Sequence, residues 1–192
     1  MTRKNIDAEI KSIRVFFAIF PNKSVQAQLA HQAELLELTC GGRKVKMQHI
    51  HLTLLFLGNV AIHRIEMLRQ VMKNVSTQEF EFNLEEIGYW KHNQVLYVQA
   101  KQFPAELFFL VDSLSNALSE AGFLFDKRVY KPHVTLIRKA IHPVTINLND
   151  PIKWHVNKWH LIQSKQTDHG VDYISLDHRG LKQIGICQKP LS

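Results

Sequence analysis

The chain has 192 residues, of which 45% are hydrophobic and 21% charged, a composition typical of a folded globular protein. No apolar run approaches the ~18 residues needed to cross a bilayer, so we expect no membrane association. The 24 basic and 17 acidic residues give a net charge of +7, which favours an anionic partner such as nucleic acid. Two widely separated cysteines, Cys40 and Cys187, fit neither a disulfide framework nor a cysteine metal site, and the first residues do not resemble an export signal. We therefore expect a cytoplasmic protein.

Hydrophobic patterns and turn residues predict helices and strands in a mixed order. The predicted elements are, in chain order, a strand at 13–20, a helix at 24–39, a strand at 50–57, a helix at 62–75, strands at 80–90 and 95–100, a helix at 104–121, and strands at 133–138, 152–164 and 171–176. A polar loop at 165–170 joins the last two strands. Because hairpin-like strand pairs lie between the helices, an α+β fold with antiparallel sheets fits best.

One short pattern occurs twice in the chain. His51-Leu52-Thr53-Leu54 is repeated 82 residues later as His133-Val134-Thr135-Leu136. Both copies fall in predicted strands, where alternate side chains share a face, so the His and Thr of each copy point the same way about 6.6 Å apart. A duplicated fold would bring the two strands together and direct both pairs into one cleft.

Two imidazoles and two hydroxyls in one pocket suit acid–base chemistry at a phosphate. One His can remove a proton while the other supplies one, because both titrate near neutral pH. Threonine hydroxyls donate hydrogen bonds to an oxyanion without adding charge. Hydrolysis of a cyclic phosphodiester needs this set and no metal ion. From an unperturbed His pKa near 6.5 we expect a bell-shaped pH dependence with its maximum between about pH 6 and 8.

The sequence around both motifs is similar to a known family. HLTL and HVTL resemble the two HxTx motifs of the 2H phosphoesterase superfamily. The longer segments HLTLLFLGNV and YKPHVTLIRK resemble signatures of the bacterial and archaeal RNA 2′,3′-cyclic phosphodiesterases, which were first named 2′-5′ RNA ligases. The early strand IRVFFAIFPN and the late hairpin around Tyr173 extend this resemblance over most of the chain.

The resemblance implies a two-lobed fold in which each lobe is an antiparallel sheet with helices outside, and a central cleft holds the site. It implies that His133 is the base that activates water, and that His51 is the acid that protonates the ribose O3′ and leaves a 2′-phosphate. Thr53 and Thr135 would bind the phosphate, and Arg138 would add a charge-assisted contact. No cofactor or metal is implied, and the partner is an RNA or oligonucleotide with a 2′,3′-cyclic phosphate end.

Several further expectations accompany this hypothesis. Phe56 matches a position where an aromatic ring can stack on a base, although a core phenylalanine is an equally good interpretation. We predict a single two-lobed domain over residues 1–192 that acts as a monomer, with residues 1–12 as a flexible extension. Two other functions remain open: a 2′-5′ ligase or 2′-5′ phosphodiesterase that uses the same pocket, and an RNA-binding module without catalysis.

Other polar residues near the motifs have weaker interpretations. His49 and His51 have a His-x-His spacing that can bind zinc, but no third ligand lies nearby in sequence, so we predict a surface role for His49 beside the cleft. His169 lies in a loop that can reach the cleft. Basic residues cluster around both motifs and predict contacts to an RNA backbone: Arg43, Lys44, Lys46, Lys127, Arg128, Lys131, Arg138 and Lys139.

Overall fold

The computed structural model of the protein describes residues 11–126, 128–168 and 170–183. Its helices are α1 (Lys23–Cys40), α2 (Ile65–Asn74) and α3 (Ala105–Glu120). Its strands are β1 (Ser12–Ile19), β2 (Arg43–Lys44), β3 (Leu52–Ala61), β4 (Phe80–Trp90), β5 (Val95–Gln99), β6 (Val134–Arg138), β7 (Ile146–Val156), β8 (Lys158–Thr167) and β9 (Gly170–Gly180). None of the described helices is long and apolar enough to cross a membrane.

The strands form one antiparallel sheet in the order β7-β4-β5-β6-β3-β1-β8-β9, with the short β2 paired to the end of β6. This order consists of two four-stranded halves that meet at β6 and β3. Their junction is one residue pair, in which Leu52 lies opposite Val134. The predicted α+β fold with antiparallel strands is confirmed, and the two expected sheets are joined into one along this narrow contact.

The helices tie the two halves together because two of them pack across the junction. Helix α1 follows β1 in the chain but packs against β6 and β7 of the other half. Helix α3 follows β5 but contacts β3 and α2, and α2 itself lies against β9. Neither half can therefore separate from the other without exposing the apolar face of a helix.

Local sequence explains where the helices begin and end. Helix α1 begins after Asn22, whose side chain accepts a hydrogen bond from the backbone N–H of Val25 at 3.0 Å. It ends at Gly41, which has φ +64° and donates its N–H to the carbonyl of Glu37. Helix α3 follows Pro104, as predicted from the preference of proline for helix starts.

The predicted strand over 152–164 is wrong, because this segment forms two strands that separate at Asn157. Strand β7 pairs with β4 at one edge of the sheet, whereas β8 pairs with β1 and β9 in the other half. The sequence carries a sign of this break: Ile152, Trp154 and Val156 are buried alternately, and burial then resumes out of phase at Trp159. One continuous strand would place Trp159 on the opposite face from Trp154.

Three other boundaries also differ from the predictions. Strand β3 does not end at Gly58 but continues to Ala61, because Gly58 has φ +76° in a β-bulge against β1 and does not form a turn. Strands β8 and β9 extend into the predicted 165–170 loop. Most of the expected N-terminal extension, residues 1–10, lies outside the described residues, whereas Ser12 already pairs with Ala61 in the sheet.

Candidate active site

The two His-x-Thr motifs face each other where the halves of the sheet meet. Their middle residues, Leu52 and Val134, are the pair that joins β3 to β6, and both are fully buried. Because side chains alternate along a strand, the residues on either side of this pair point to the opposite face. That face lines a cleft of about 810 Å³ whose wall includes the four predicted side chains: His51, Thr53, His133 and Thr135.

Each motif histidine is held by the same backbone contact. The Nδ1–H of His51 donates to the carbonyl of His49 at 2.7 Å, and that of His133 donates to the carbonyl of Lys131 at 2.8 Å. A carbonyl can only accept, so both neutral rings carry their proton on Nδ1. The Nε2 atom of each ring is therefore left as the acceptor on the cleft side, where it can take up or release a proton.

His51 lies in an aromatic pocket. The ring of Phe20 stacks on it at 5.4 Å, Phe16 lies at 5.1 Å, and Tyr173 meets it edge-on at 5.3 Å. The pKa of His51 is lowered to about 4, chiefly by burial and also by nearby positive charges, against the opposing effect of the carbonyl of His49. The sequence analysis missed Phe16 and Phe20, although their spacing with Ala18 on one strand face could have suggested a shared wall.

His133 has a more open environment. Trp90 meets its ring edge-on at 4.4 Å and Tyr97 at 5.8 Å. Tyr97 leans over Gly88 on the neighbouring strand, where a Cβ would come within 2.4 Å of the tyrosine ring. Burial also lowers the pKa of His133, and the charge of Arg138 adds to this effect.

The two threonines differ in their contacts. The hydroxyl of Thr53 lies 3.1 Å from Nε2 of His51 and donates to it when that ring is neutral. Among the described residues no equivalent bond joins Thr135 to His133. The partly buried Tyr130 links the motifs, because its hydroxyl donates to the carbonyl of Thr53 at 3.0 Å. The enclosure of its hydroxyl raises its pKa. This bond ties the segment before the second motif to the strand of the first.

The cleft is strongly basic. Arg138 lies at the end of β6, and its charge lowers the pKa of both motif histidines. Four more cations line the same space, and no Asp or Glu is among the described residues that do so: the cations are Arg14, Arg43, Lys44 and Lys46. Such a cleft attracts anions and excludes cations.

Phe56 is not a core residue. A β-bulge at Leu54, between the pairs Ala18–Thr53 and Phe17–Leu55, shifts the register of β3 against β1. Phe56 therefore follows Thr53 on the cleft face, where 39% of its surface is exposed. The guanidinium of Arg14 lies over its ring, 4.7 Å from the ring centre. The position therefore suits an aromatic surface for a base better than it suits packing in the interior.

The remaining predicted residues are only partly brought to the cleft. His49 lines it, but it ends a 3₁₀ turn, Met47–His49, so it does not share a strand face with His51 as a zinc-binding pair would. Within the described ranges, no three His, Cys, Asp or Glu side chains are grouped as metal ligands. Arg128 and Lys131 line an adjoining groove. His169 and Lys127 lie outside the described residues.

Comparison with known proteins indicates the family of this chain. Residues 19–97 match the family model described as LigT like phosphoesterase. An RNA 2′,3′-cyclic phosphodiesterase of Escherichia coli is 30% identical over 133 residues, which cover 69% of this chain and 76% of that protein. One from Thermotoga maritima is 31% identical over 137 residues, which cover 68% of this chain and 72% of that protein.

Similarity extends to solved structures. The crystal structure of E. coli LigT complexed with 3′-AMP matches with a TM-score of 0.83 at 27% identity, covering 90% of this chain and 100% of that one. The family predicted from the paired motifs is confirmed. The chain belongs to the family of LigT-like phosphoesterases.

Proposed function

We propose that this protein hydrolyses 2′,3′-cyclic phosphate ends of RNA to 2′-phosphates. The observation that carries the proposal is the duplicated geometry of His51 and His133. Both rings are fixed by a backbone carbonyl at Nδ1, and both present Nε2 to one basic cleft. The relatives from E. coli and T. maritima are named for the same activity, which supports the assignment.

The cleft offers donors for a bound cyclic phosphate. The non-bridging oxygens would accept hydrogen bonds from the hydroxyls of Thr53 and Thr135, and Arg138 would contribute a charge-assisted contact. Negative charge develops on these oxygens as the ring opens, so donors fixed in advance lower the barrier. Every donor and proton carrier in this scheme is a side chain of the protein, and the reaction needs no metal ion.

The two histidines then act in line. Nε2 of His133 takes a proton from water while the water oxygen bonds to phosphorus, and the bond from phosphorus to O3′ breaks. Protonated His51 delivers its Nε2 proton to the departing O3′. The products are a 2′-phosphate and a free 3′-hydroxyl, and the proton gained by His133 returns to solvent while His51 is reprotonated.

Thr53 connects the state of His51 to phosphate binding. When His51 is neutral, the Thr53 hydroxyl points its hydrogen at Nε2. When the ring is protonated, Nε2 becomes a donor, and the Thr53 hydrogen is released to point at a phosphate oxygen. The acid form of the site would therefore bind the anionic substrate better than the neutral form.

The alternatives differ in what they require. Ligation would open the same ring with a ribose 5′-hydroxyl in place of water, which forms a 2′-5′ phosphodiester as the bond to O3′ breaks, and would use the same side chains. A binding module without catalysis would not need both Nε2 atoms to remain accessible in the cleft. We also propose that the enzyme is a cytoplasmic monomer. Sedimentation of the purified protein tests its oligomeric state.

One assay tests the hydrolase proposal. The protein is incubated with 2′,3′-cyclic AMP in excess EDTA, and phosphorus NMR follows the product. We expect turnover to a 2′-phosphate in EDTA, and the same turnover for a control variant at the exposed His31 on α1, His31→Ala. Binding without turnover would favour the RNA-binding module, a 3′-phosphate product would reverse the two histidine roles, and activity restored only by zinc would overturn the metal-free scheme.

A further inference from the structure

Three polar side chains form a row across the sheet beyond the catalytic pair. Arg14 on β1 lies opposite Asn59 on β3 and opposite Ser164 on β8. Residues that pair across neighbouring strands share a face, and these strands lie about 4.8 Å apart. All three side chains line the cleft, so a guanidinium, an amide and a hydroxyl are presented side by side.

The charge of Arg14 is not neutralised by a carboxylate in the described part of the chain, where the ion pairs involve other residues. Its guanidinium is held over the ring of Phe56 instead. A ring supplies attraction without occupying the N–H groups at the guanidinium edge. Arg14 is therefore an oriented cation with free donors, which is the arrangement that recognises a phosphate oxygen.

The row of Arg14, Asn59 and Ser164 lies further along the cleft than the residues proposed to bind the reacting phosphate. From His51, which directly precedes β3, the cleft-facing positions run outward along the strand through Thr53 and Phe56 to Asn59. A second feature points the same way, because Arg14 and Arg138 both lie close enough to Tyr173 for their charges to oppose the rise in its pKa that burial causes. The two arginines therefore flank the same stretch of cleft, one beside the catalytic pair and one further out.

A neighbouring groove is a poorer path for a polyanion. It opens beside Thr53 and His133 and runs along α3, where Asp112, Ser115, Asn116 and Ser119 form one wall. Asp112 and Asp126 both line it, and Asp126 pairs with Arg128 there. The Arg14 end of the main cleft has no such acidic lining among the described residues.

We propose that Arg14, Asn59 and Ser164 form a second anion site, which binds the phosphodiester on the 5′ side of the cyclic-phosphate nucleotide. The inference rests on the proposed function and deepens it, because it makes the substrate an RNA chain end and not a free cyclic mononucleotide. In this scheme Arg14 contacts the substrate but not the reacting atoms, so it is a specificity-determining residue.

The test compares three substrates: 2′,3′-cyclic AMP, a diadenylate ending in a 2′,3′-cyclic phosphate, and the same dinucleotide with a neutral methylphosphonate linkage. We expect wild-type kcat/KM to be higher for the charged dinucleotide than for the other two. Arg14→Gln should lower kcat/KM for the charged dinucleotide by about tenfold or more, the loss typical of a charge-assisted hydrogen bond. Arg14→Gln should change kcat/KM for the other two substrates by less than about twofold.

Three further variants sharpen the comparison. Arg14→Lys, which keeps the charge, should retain part of the preference for the charged linkage, whereas Asn59→Ala and Ser164→Ala should each reduce it less than Arg14→Gln. Lys73→Gln removes an exposed charge on α2, outside the cleft, and should leave kcat/KM unchanged for all three substrates. Arg14→Gln should also weaken the salt dependence of dinucleotide binding, because it removes one contact to a single-strand phosphate. The slope of log binding constant against log salt concentration should become shallower by about 0.7.

Specific outcomes would overturn the proposal. If Arg14→Gln lowered kcat/KM equally for the mononucleotide and both dinucleotides, Arg14 would contact the terminal nucleotide and not the 5′ phosphodiester. An Arg14→Lys variant as weak as Arg14→Gln on all three substrates would mean that the stack on Phe56 matters and not the charge. If wild type hydrolysed no substrate, the proposed reaction would fail, but binding of diadenylate 2′-phosphate and its methylphosphonate analogue by calorimetry would still test the anion site.

Discussion

The two copies of the motif show how one sequence pattern acquires two chemical characters. His51 and His133 each begin the pattern His-apolar-Thr-Leu, and both have the same backbone contact at Nδ1. His51 is stacked against Phe20 and bonded to Thr53, whereas His133 meets Trp90 at its edge and has no such bond within the described residues. The difference lies in what the two halves of the sheet place around each ring.

This comparison indicates how two identical groups can take different roles. A buried imidazole has a lowered pKa, and the lower its pKa, the more readily its protonated form gives up the proton. His51, whose pKa is lowered to about 4, chiefly by burial, would therefore be a strong acid once protonated. That property fits the role of proton donor to the ribose oxygen, although it makes the protonated form scarce in the free protein at neutral pH.

The largest expected effect comes from removing either imidazole. His51→Ala and His133→Ala should each lower kcat by at least about 10²-fold, the low end for lost general acid or base catalysis. Both rings face the cleft, so the fold should survive, as circular dichroism can check. A diester with a p-nitrophenyl leaving group needs no acid, so it should restore much of the rate of His51→Ala and little of that of His133→Ala.

That leaving-group experiment is the sharpest test of asymmetry between the halves. Equal rescue of both variants would mean that the two histidines are not divided into acid and base. Rescue of His133→Ala alone would assign the acid to the second motif. Turnover close to wild type in either variant, with the natural leaving group, would remove that histidine from the mechanism.

The threonines should give a smaller effect. Thr53→Ala and Thr135→Ala should each lower kcat by up to about 10²-fold, as expected for one oxyanion donor. Only Thr53→Ala should also raise the pKa of its histidine, because its hydroxyl stabilises neutral His51. Titration of the imidazole protons by NMR measures this shift, and the Thr→Ser variants, which keep the hydroxyl, serve as controls. Unchanged kinetics would mean that these hydroxyls only pack the strands.

The smallest predicted effect is the position of the pH optimum. Catalysis needs one protonated and one neutral imidazole, a state most populated between the two pKa values. Burial lowers the pKa of both His51 and His133 in the free protein, so kcat/KM should peak below pH 6.5 and fall as pH rises through neutrality. This replaces the maximum between about pH 6 and 8 that unperturbed histidines predict.

The pH maxima of kcat and kcat/KM should differ. A bound phosphate anion favours the protonated imidazoles and raises both pKa values, so kcat should peak at a higher pH than kcat/KM. Steady-state kinetics across pH 4 to about 9 provide both profiles. A kcat/KM maximum at pH 7 or above, or a rate that only rises with pH, would contradict the lowered pKa values or the paired acid–base scheme.

Phe56 and Arg14 illustrate how far sequence prediction reaches. The sequence left Phe56 open between a core and a stacking role, because an aromatic residue near a buried strand fits both. A bulge at Leu54 in the pairing of β3 with β1 turns Phe56 out of the core, and no local pattern specifies that pairing. The stacking role of Phe56 stays a prediction. Arg14 was not singled out at all, since its importance depends on Phe56 and Ser164, which are distant in sequence.

The sequence alone determined the duplicated motif, the family, the mixed helix and strand content, and the side of each strand that carries His and Thr. These properties follow from local periodicity and turn chemistry, which act over a few residues. Only the tertiary structure decided that β7 and β8 go to opposite halves, that α1 packs across the junction, and that His51 is more enclosed than His133. Pairing partners and burial depend on surfaces contributed by remote segments, so the histidines of two closely similar motifs come to differ in environment only after the chain has folded around them.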